Sequence, residues 1–233
     1  MRLQIADLLV ELVGAHPDTE HAAVAYQTAA EGDADITITA ADPIPFVLPP
    51  NTPPAVADYC RVSAVLARKL FRHGAAMLHA AAVVVNGYAY LFSATSGTGK
   101  STHAGLWLKR LPNAYLLNDD KPVLRVADGI VYAYGAPWAG KHNLQTNERV
   151  PLGGICFLSQ GKTDRITRLS AADAALHLYA HTARRGANAA ETNALLTLLD
   201  TIVRTTPIFG MQCTPTDHAA EVAVSAMLRK EQG

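Results

Sequence analysis

The spacing of apolar positions changes several times along the chain, and each change marks an element. Between residues 54 and 74, Val56, Tyr59, Cys60, Val65, Leu66 and Leu70 recur near helical spacing, with Gly74 as a natural stop. The next stretch, "LHAAAVVVNGYAYLFSATSGTGKSTHAGLWLKRL", opens with two apolar runs about Asn86-Gly87, a dipeptide that strongly favours a tight hairpin. The second run leads directly into a glycine-rich loop, and a helix is predicted from near Lys100 to near Pro112. "NAYLLNDD" reads as a buried strand ending in carboxylates, and "KPVLRVADGIVYAYGAP" as a second hairpin turning at Asp128-Gly129. Two further strands follow in "VPLGGICFLSQ" and "RITRLS". Helices are expected in "SAADAALHLYAHT", where Ser170 is a good N-cap, in "ETNALLTLLDTIVRT" and in "TDHAAEVAVSAMLRK". "PIFGMQC" reads as a strand between the last two.

Ahead of these, "HAAVAYQT" and "ADITITAA" read as short strands separated by "AEGD", and the proline-rich segment 41–54 as an extended linker. The expected organisation is a strand-rich N-terminal lobe over 1–52 and a main domain over 53–233. The expected fold class is α/β, with a mixed, partly antiparallel sheet, a phosphate loop (P-loop) and flanking helices. In common P-loop NTPases the loop strand lies in a mostly parallel sheet reached by helical crossovers. A two-residue hairpin gives that strand an antiparallel neighbour instead. This argues against a GTPase, an ABC-type ATPase or a nucleoside kinase.

Composition narrows the partners. Apolar residues make up 49% and charged residues 17%, enough for a large core and too few charges for a disordered chain. The formal net charge is zero, which argues against nucleic acid or an anionic membrane held by bulk charge. No apolar run reaches the ~18 residues of a membrane span, and the N-terminus lacks a long apolar region with a small-residue cleavage site. Cys60, Cys156 and Cys213 are far apart, without metal-ligand spacing, and read as free thiols in a reducing cytoplasm.

The loop reads Ala94-Thr95-Ser96-Gly97-Thr98-Gly99-Lys100-Ser101-Thr102. It follows G-x-x-x-x-G-K-[ST] except at its first position, where Ala94 suits a backbone that keeps a negative φ. Gly97 and Gly99 allow successive amides to point inward, and the helix behind adds the positive end of its dipole. Lys100 supplies a mobile charge for β- and γ-phosphates, and Ser101 a hydroxyl for Mg²⁺. Thr95 to Thr102 is therefore the candidate nucleotide-binding segment. The acids that would complete it, Asp119 and Asp120, are expected at the end of a neighbouring strand. One would hold Mg²⁺ and the other accept a proton, with Asp119 assigned to the metal and Asp120 to the base by analogy with P-loop ATPases carrying two successive acids.

The series "LHAAAVVVNGYAYLFSATSGTGKST", "LLNDDKPVL", "GAPWAGK" and "VPLGGICFL" resembles the HPr serine kinase/phosphorylase family. It looks more like that family's small bacterial relatives in peptide-biosynthesis clusters, lasso-peptide precursor kinases among them, whose core is similar to that of phosphoenolpyruvate carboxykinase. The resemblance covers about residues 75–160. It implies ATP and Mg²⁺ as cofactors, a serine-bearing peptide or small protein as substrate, and His79 near the transferred phosphate. It also implies Lys100 and Ser101 as loop lysine and Mg²⁺-binding hydroxyl, Asp119 and Asp120 as the paired acids, and Trp138 and Lys141 in a loop facing nucleotide or substrate. The larger relatives form hexamers, so a homo-oligomer is among the partners implied. Two departures stand out: Thr102 occupies a position usually acidic in HPr kinases, and Glu148 is only a loose counterpart of their second Mg²⁺-binding glutamate.

Other polar residues carry two readings each. His79 is either a satisfied core histidine or a catalytic one, and Trp138 a nucleotide cap or a core anchor. His103, one turn into the loop helix, could touch nucleotide or be a solvated or half-buried helix residue. Arg184 and Arg185 could reach a γ-phosphate or an acidic peptide, or end a solvated helix. His142 and the i, i+4 pair His177 and His181 have no metal-like partner set. The expected function is an ATP- and Mg²⁺-dependent serine kinase. The alternatives are a nucleotide-binding regulatory module without turnover and a kinase of a small sugar or amino acid.

Overall fold

A strand covered on both faces needs apolar side chains pointing both ways, and "AAAVVV" and "YLF" are runs of that kind. The computed structural model, which describes residues 1–138 and 144–229, places them at the centre of a mixed sheet. In chain order the elements are β1 (Arg2–Ile5), β2 (Leu8–Val13), α1 (Pro17–His21), β3 (Ile36–Thr39), α2 (Pro54–Lys69), β4 (Ala75–Met77), β5 (Ala80–Val85), β6 (Tyr88–Ser93) and α3 (Lys100–Arg110). They continue with β7 (Tyr115–Asn118), β8 (Val123–Ala127), β9 (Ile130–Tyr134), β10 (Arg149–Gln160), β11 (Arg165–Arg168), α4 (Ala171–His181), α5 (Ala189–Thr205), β12 (Ile208–Cys213) and α6 (Asp217–Met227). The large sheet runs β4-β8-β9-β10-β6-β5-β7, with β12 also paired to β10 and β11 to β12. β6 and β12 run parallel to β10, whereas β5 is antiparallel to both β6 and β7. The fold is thus α/β with a mixed, partly antiparallel sheet, as the hairpin signals predict.

Alternation along the strands sorts the core into two layers. Ala80, Ala82 and Val84 of β5, with Ala89 and Leu91 of β6, face α4 and α5 in one buried cluster. Ala81, Val83, Val85, Tyr90 and Phe92 point the other way, toward α3 and α6. On β10 the parity switches: Val150 and Leu152 share the α4/α5 face with Ile155 and Phe157. A register shift between Leu152 and Gly154 absorbs the extra residue, so a bulge keeps one strand apolar on both sides.

The small sheet β1-β2-β3 packs with α2, β4 and the β8–β9 hairpin in a third cluster. It differs from the sequence expectation in two places. Val24–Tyr26, inside "HAAVAYQT", form a 3₁₀ turn rather than a strand, because the helix opened by Pro17 runs into it without polar alternation. Conversely, β1 and β2 form a hairpin about Ala6 and Asp7, which carry no glycine signal yet have φ of 53° and 58°. Tertiary contacts hold that turn: the Tyr134 hydroxyl donates to Asp7 at 2.6 Å, and Arg125 donates to the Ala6 carbonyl at 2.6 Å.

Trp138 belongs to this third cluster. It is fully buried, and its indole N–H donates to the Thr19 carbonyl at 3.1 Å. The core reading therefore holds for Trp138, and Lys141 and His142 lie outside the described residues. Trp138→Ala is expected to lower unfolding stability by about 3–5 kcal/mol in urea titrations, whereas Trp138→Phe should lose less and leave nucleotide affinity unchanged.

Candidate active site

The glycine-rich loop sits where the C-terminal end of β6 turns into α3. Trp107 of α3 packs on Tyr90 and Phe92 with ring centroids 5.4 and 4.9 Å away, which seats the helix against the sheet with its N-terminus beyond the C-terminal end of β6. Gly97 and Gly99 have φ of +81° and +116°, a region that side chains resist. A Cβ at either would meet no close neighbour, so glycine is needed there for conformation rather than for space. Ala94 is buried and lacks a positive φ, so the alanine in the first loop position costs nothing in backbone strain. Gly99 caps α3 without a side-chain hydrogen bond, which leaves the first amides of the helix without a side-chain acceptor. The Thr98 amide donates to the Thr95 carbonyl at 3.2 Å, and the two threonine hydroxyls lie 2.8 Å apart. Thr95, Ser96, Ser101 and Thr102 are exposed.

Lys100 folds back over this loop. It is 9% exposed, and its Nζ lies 3.4 Å from the Ala94 carbonyl. Burial lowers its pKa, and the charges of Asp120 and Asp119 pull the other way.

The acids come from β7, which lies one strand beyond β6 rather than beside it, because the hairpin partner β5 occupies the intervening place. A bend makes up the difference. Asn118 is fully buried at the end of β7, and its Oδ1 accepts from the amides of Asp120 (3.0 Å) and Lys121 (2.8 Å). Its Nδ2 donates to the Ala136 carbonyl at 2.9 Å. A short side chain thus replaces the strand ladder and turns the backbone at the acid pair. Asn118→Ala would orphan two amides and is expected to cost about 1–3 kcal/mol in chemical denaturation.

His79 completes the cluster. Its Nε2 lies 3.3 Å from Asp120 Oδ1, its amide donates to the His181 carbonyl at 3.0 Å, and its carbonyl accepts from Ser93 Oγ at 2.8 Å. Lys121 Nζ is 3.6 Å from Asp120 Oδ2. Burial would raise the Asp120 carboxyl, but the His79 imidazole, Lys121 and Lys100 outweigh it and hold the group below the usual carboxylate range. Asp120 is therefore ionised at neutral pH.

A cleft of about 830 Å³ opens beside the loop, between Thr95–Thr98 and the residues Phe157, Arg165, His177 and His181. His177 stacks on Phe157 with centroids 4.9 Å apart, and His181 tilts over the same ring. Burial, then the neighbouring His177, His79 and Lys100 charges, lower the His181 pKa. These two histidines line the cleft, and their helical spacing was the only trace of this in the sequence. Phe157, Arg165 and Lys121 left no such trace. His103 is not solvated or half-buried but 2% exposed, because it packs edge-on to Phe92 under α3, and burial depresses its pKa to about 4. Arg184 and Arg185 line a separate pocket. Glu148 accepts from the Tyr115 hydroxyl at 2.5 Å, at the opposite end of β7 from the acid pair.

The structure thus brings together the loop, Lys100, Asp119, Asp120 and His79 at one end of the sheet. A family model described as "SynChlorMet cassette protein ScmC" matches residues 56–214, a span that includes all of these, and the chain belongs to that family. No curated protein matches the chain. Among solved structures, the HPr(Ser) kinase/phosphatase from Coxiella burnetii aligns at 11% identity over 64% of this chain and 94% of its own, with a TM-score of 0.38, a loose overlay. Among the described residues, no helix is long and apolar enough to cross a membrane.

Proposed function

We propose that the protein is a kinase that uses ATP and Mg²⁺ to phosphorylate a serine hydroxyl on a peptide or small protein. The observation that carries this reading is Lys100, buried between a loop with two left-handed glycines and the Asp119–Asp120 bend, where it feels both carboxylates.

The amides of the Thr95–Thr102 segment and Lys100 bind the phosphates. Ser101 and Asp119 would hold Mg²⁺, a hard cation that takes hydroxyl, carboxylate and phosphate oxygens and neutralises charge on the phosphates. The donor set fits, since a hydroxyl and a carboxylate are both hard oxygen ligands. Among the described residues, no cluster of three or more His, Cys, Asp or Glu side chains offers a competing metal site. Asp120, held by His79, accepts the proton of the attacking hydroxyl. The acceptor oxygen gains the phosphoryl group, and ADP leaves with the electron pair of the broken P–O bond. Alignment and charge neutralisation supply most of the rate.

Incubation with radiolabelled ATP, Mg²⁺, serine peptides and small alcohols tests this. Label in a serine peptide is expected. Label confined to small alcohols, or nucleotide binding with no product, would replace the peptide kinase by one of the two alternatives.

A further inference from the structure

A second concavity is linked to the acid pair through Lys121, which lines it. It has a volume of about 450 Å³ and lies between one face of α2, Phe46 of the proline-rich segment, the last turn of α4 and the Thr182–Arg185 loop. That volume is in the range of roughly 300–1,000 Å³ typical of small-ligand sites. Small side chains on facing helices, Cys60, Ser63, Ala64 and Ala67 from α2 and Ala180 from α4, leave the space open. Its floor is largely apolar, whereas its charged lining is entirely cationic: Lys121, Arg184 and Arg185.

The two arginines pack on aromatic rings, and among the described residues neither lies within ion-pair distance of a carboxylate. Arg184 lies over the Tyr179 ring at 4.1 Å, and its Nε is buried without a hydrogen-bond partner. Arg185 lies over the Phe46 ring at 5.2 Å. A guanidinium without a carboxylate partner attracts an incoming anion, and the planar fork of arginine matches a carboxylate. The pocket is also joined to the chemistry. Lys121 lines it and lies 3.6 Å from Asp120, and the Ala183 amide donates to the Met77 carbonyl, two residues before His79.

We propose that this pocket is the acceptor subsite. It takes a carboxylate on Arg184 and Arg185 and the adjoining apolar group on Phe46 and the α2 face, so that the acceptor's hydroxyl is presented to Asp120 past Lys121. The proposal rests on the phosphotransfer reading above. The ligand chemistry is a carboxylate next to an apolar group, carried by a peptide or by a free hydroxy acid.

The test uses the full chain with Mg²⁺ and a non-hydrolysable ATP analogue. Fluorescent serine peptides carrying Leu-Glu or Leu-Gln at varied spacing are titrated by anisotropy, and free hydroxy acids are added as competitors. Leu-Glu peptides should bind at least tenfold more tightly than Leu-Gln peptides. That preference should vanish in Arg185→Gln, an exposed site that leaves folding intact, and in Ala64→Phe, with nucleotide affinity unchanged in both. Competition by the free hydroxy acids would make the small molecule the source of the carboxylate, and its absence would make it the peptide. No carboxylate preference in the parent, the same preference in both variants, or loss of nucleotide affinity in Arg185→Gln would overturn the proposal. Failure of the parent to bind nucleotide would instead overturn the kinase reading itself.

Discussion

Lys100→Ala is expected to reduce phosphoryl transfer by about 10³-fold or more while the protein stays folded. The lysine is held 9% exposed with its Nζ near a backbone carbonyl, and burial lowers its pKa against the pull of two carboxylates. A cation kept in so dry a place is there for an anion that arrives later, since the folded chain alone gains little from it. Its removal takes away the loop's own counter-charge to the incoming phosphates and leaves only His79 and Lys121 to balance the acid pair. ATP affinity, read by calorimetry, and initial rate, read by radiolabel transfer, should both collapse. The melting temperature should stay level or rise, because a partly desolvated charge has been deleted. Lys100→Arg should not restore the rate, since a branched planar fork does not fit the space that a slim ammonium occupies beside Ala94. Transfer at the parental rate by Lys100→Ala would remove the loop from the mechanism.

Much of the main domain was legible because its signals are local. Asn86-Gly87 and Asp128-Gly129 both turn hairpins, and the first of them makes the loop strand's neighbour antiparallel. Ser170 caps α4 as expected, through the Asp173 amide. What escaped was whatever depends on distant partners. The Ala6–Asp7 turn is stabilised by Tyr134, Arg125 and Arg149, which are more than a hundred residues away in sequence. The position of β7 was misjudged because a hairpin written next to the loop in sequence takes the place next to it in the sheet. Asn118 shows the same limit at the site: in "LLNDD" it reads as one more polar residue, and only its burial and three hydrogen bonds reveal that it sets the bend. The aromatic wall of Phe157, His177 and His181 joins β10 to α4, a pairing that no local spacing encodes.

Asp120→Asn should lower the rate of transfer by about 10² to 10⁴-fold at saturating ATP and Mg²⁺, with nucleotide affinity little changed. The amide keeps the size of the carboxylate and can still accept from His79, so the Asn118 bend and its hydrogen bonds survive. What it cannot do is take a proton from the attacking hydroxyl. The neighbouring acid should behave differently: Asp119→Asn is expected to raise the Mg²⁺ concentration needed for half-maximal rate, with much of the loss recovered when Mg²⁺ is added in excess. The contrast decides between two adjacent carboxylates that a strand would point to opposite sides. His79 and Lys121 both contact Asp120, and these cations with Lys100 outweigh burial and keep its carboxyl ionised, so it is free to receive the proton. Asp119 has its amide tied to the Leu144 carbonyl. Should excess Mg²⁺ rescue Asp120→Asn instead, and leave Asp119→Asn dead, the two roles must be exchanged. If neither substitution changes the rate, the bend at Asn118 serves the fold and not the chemistry.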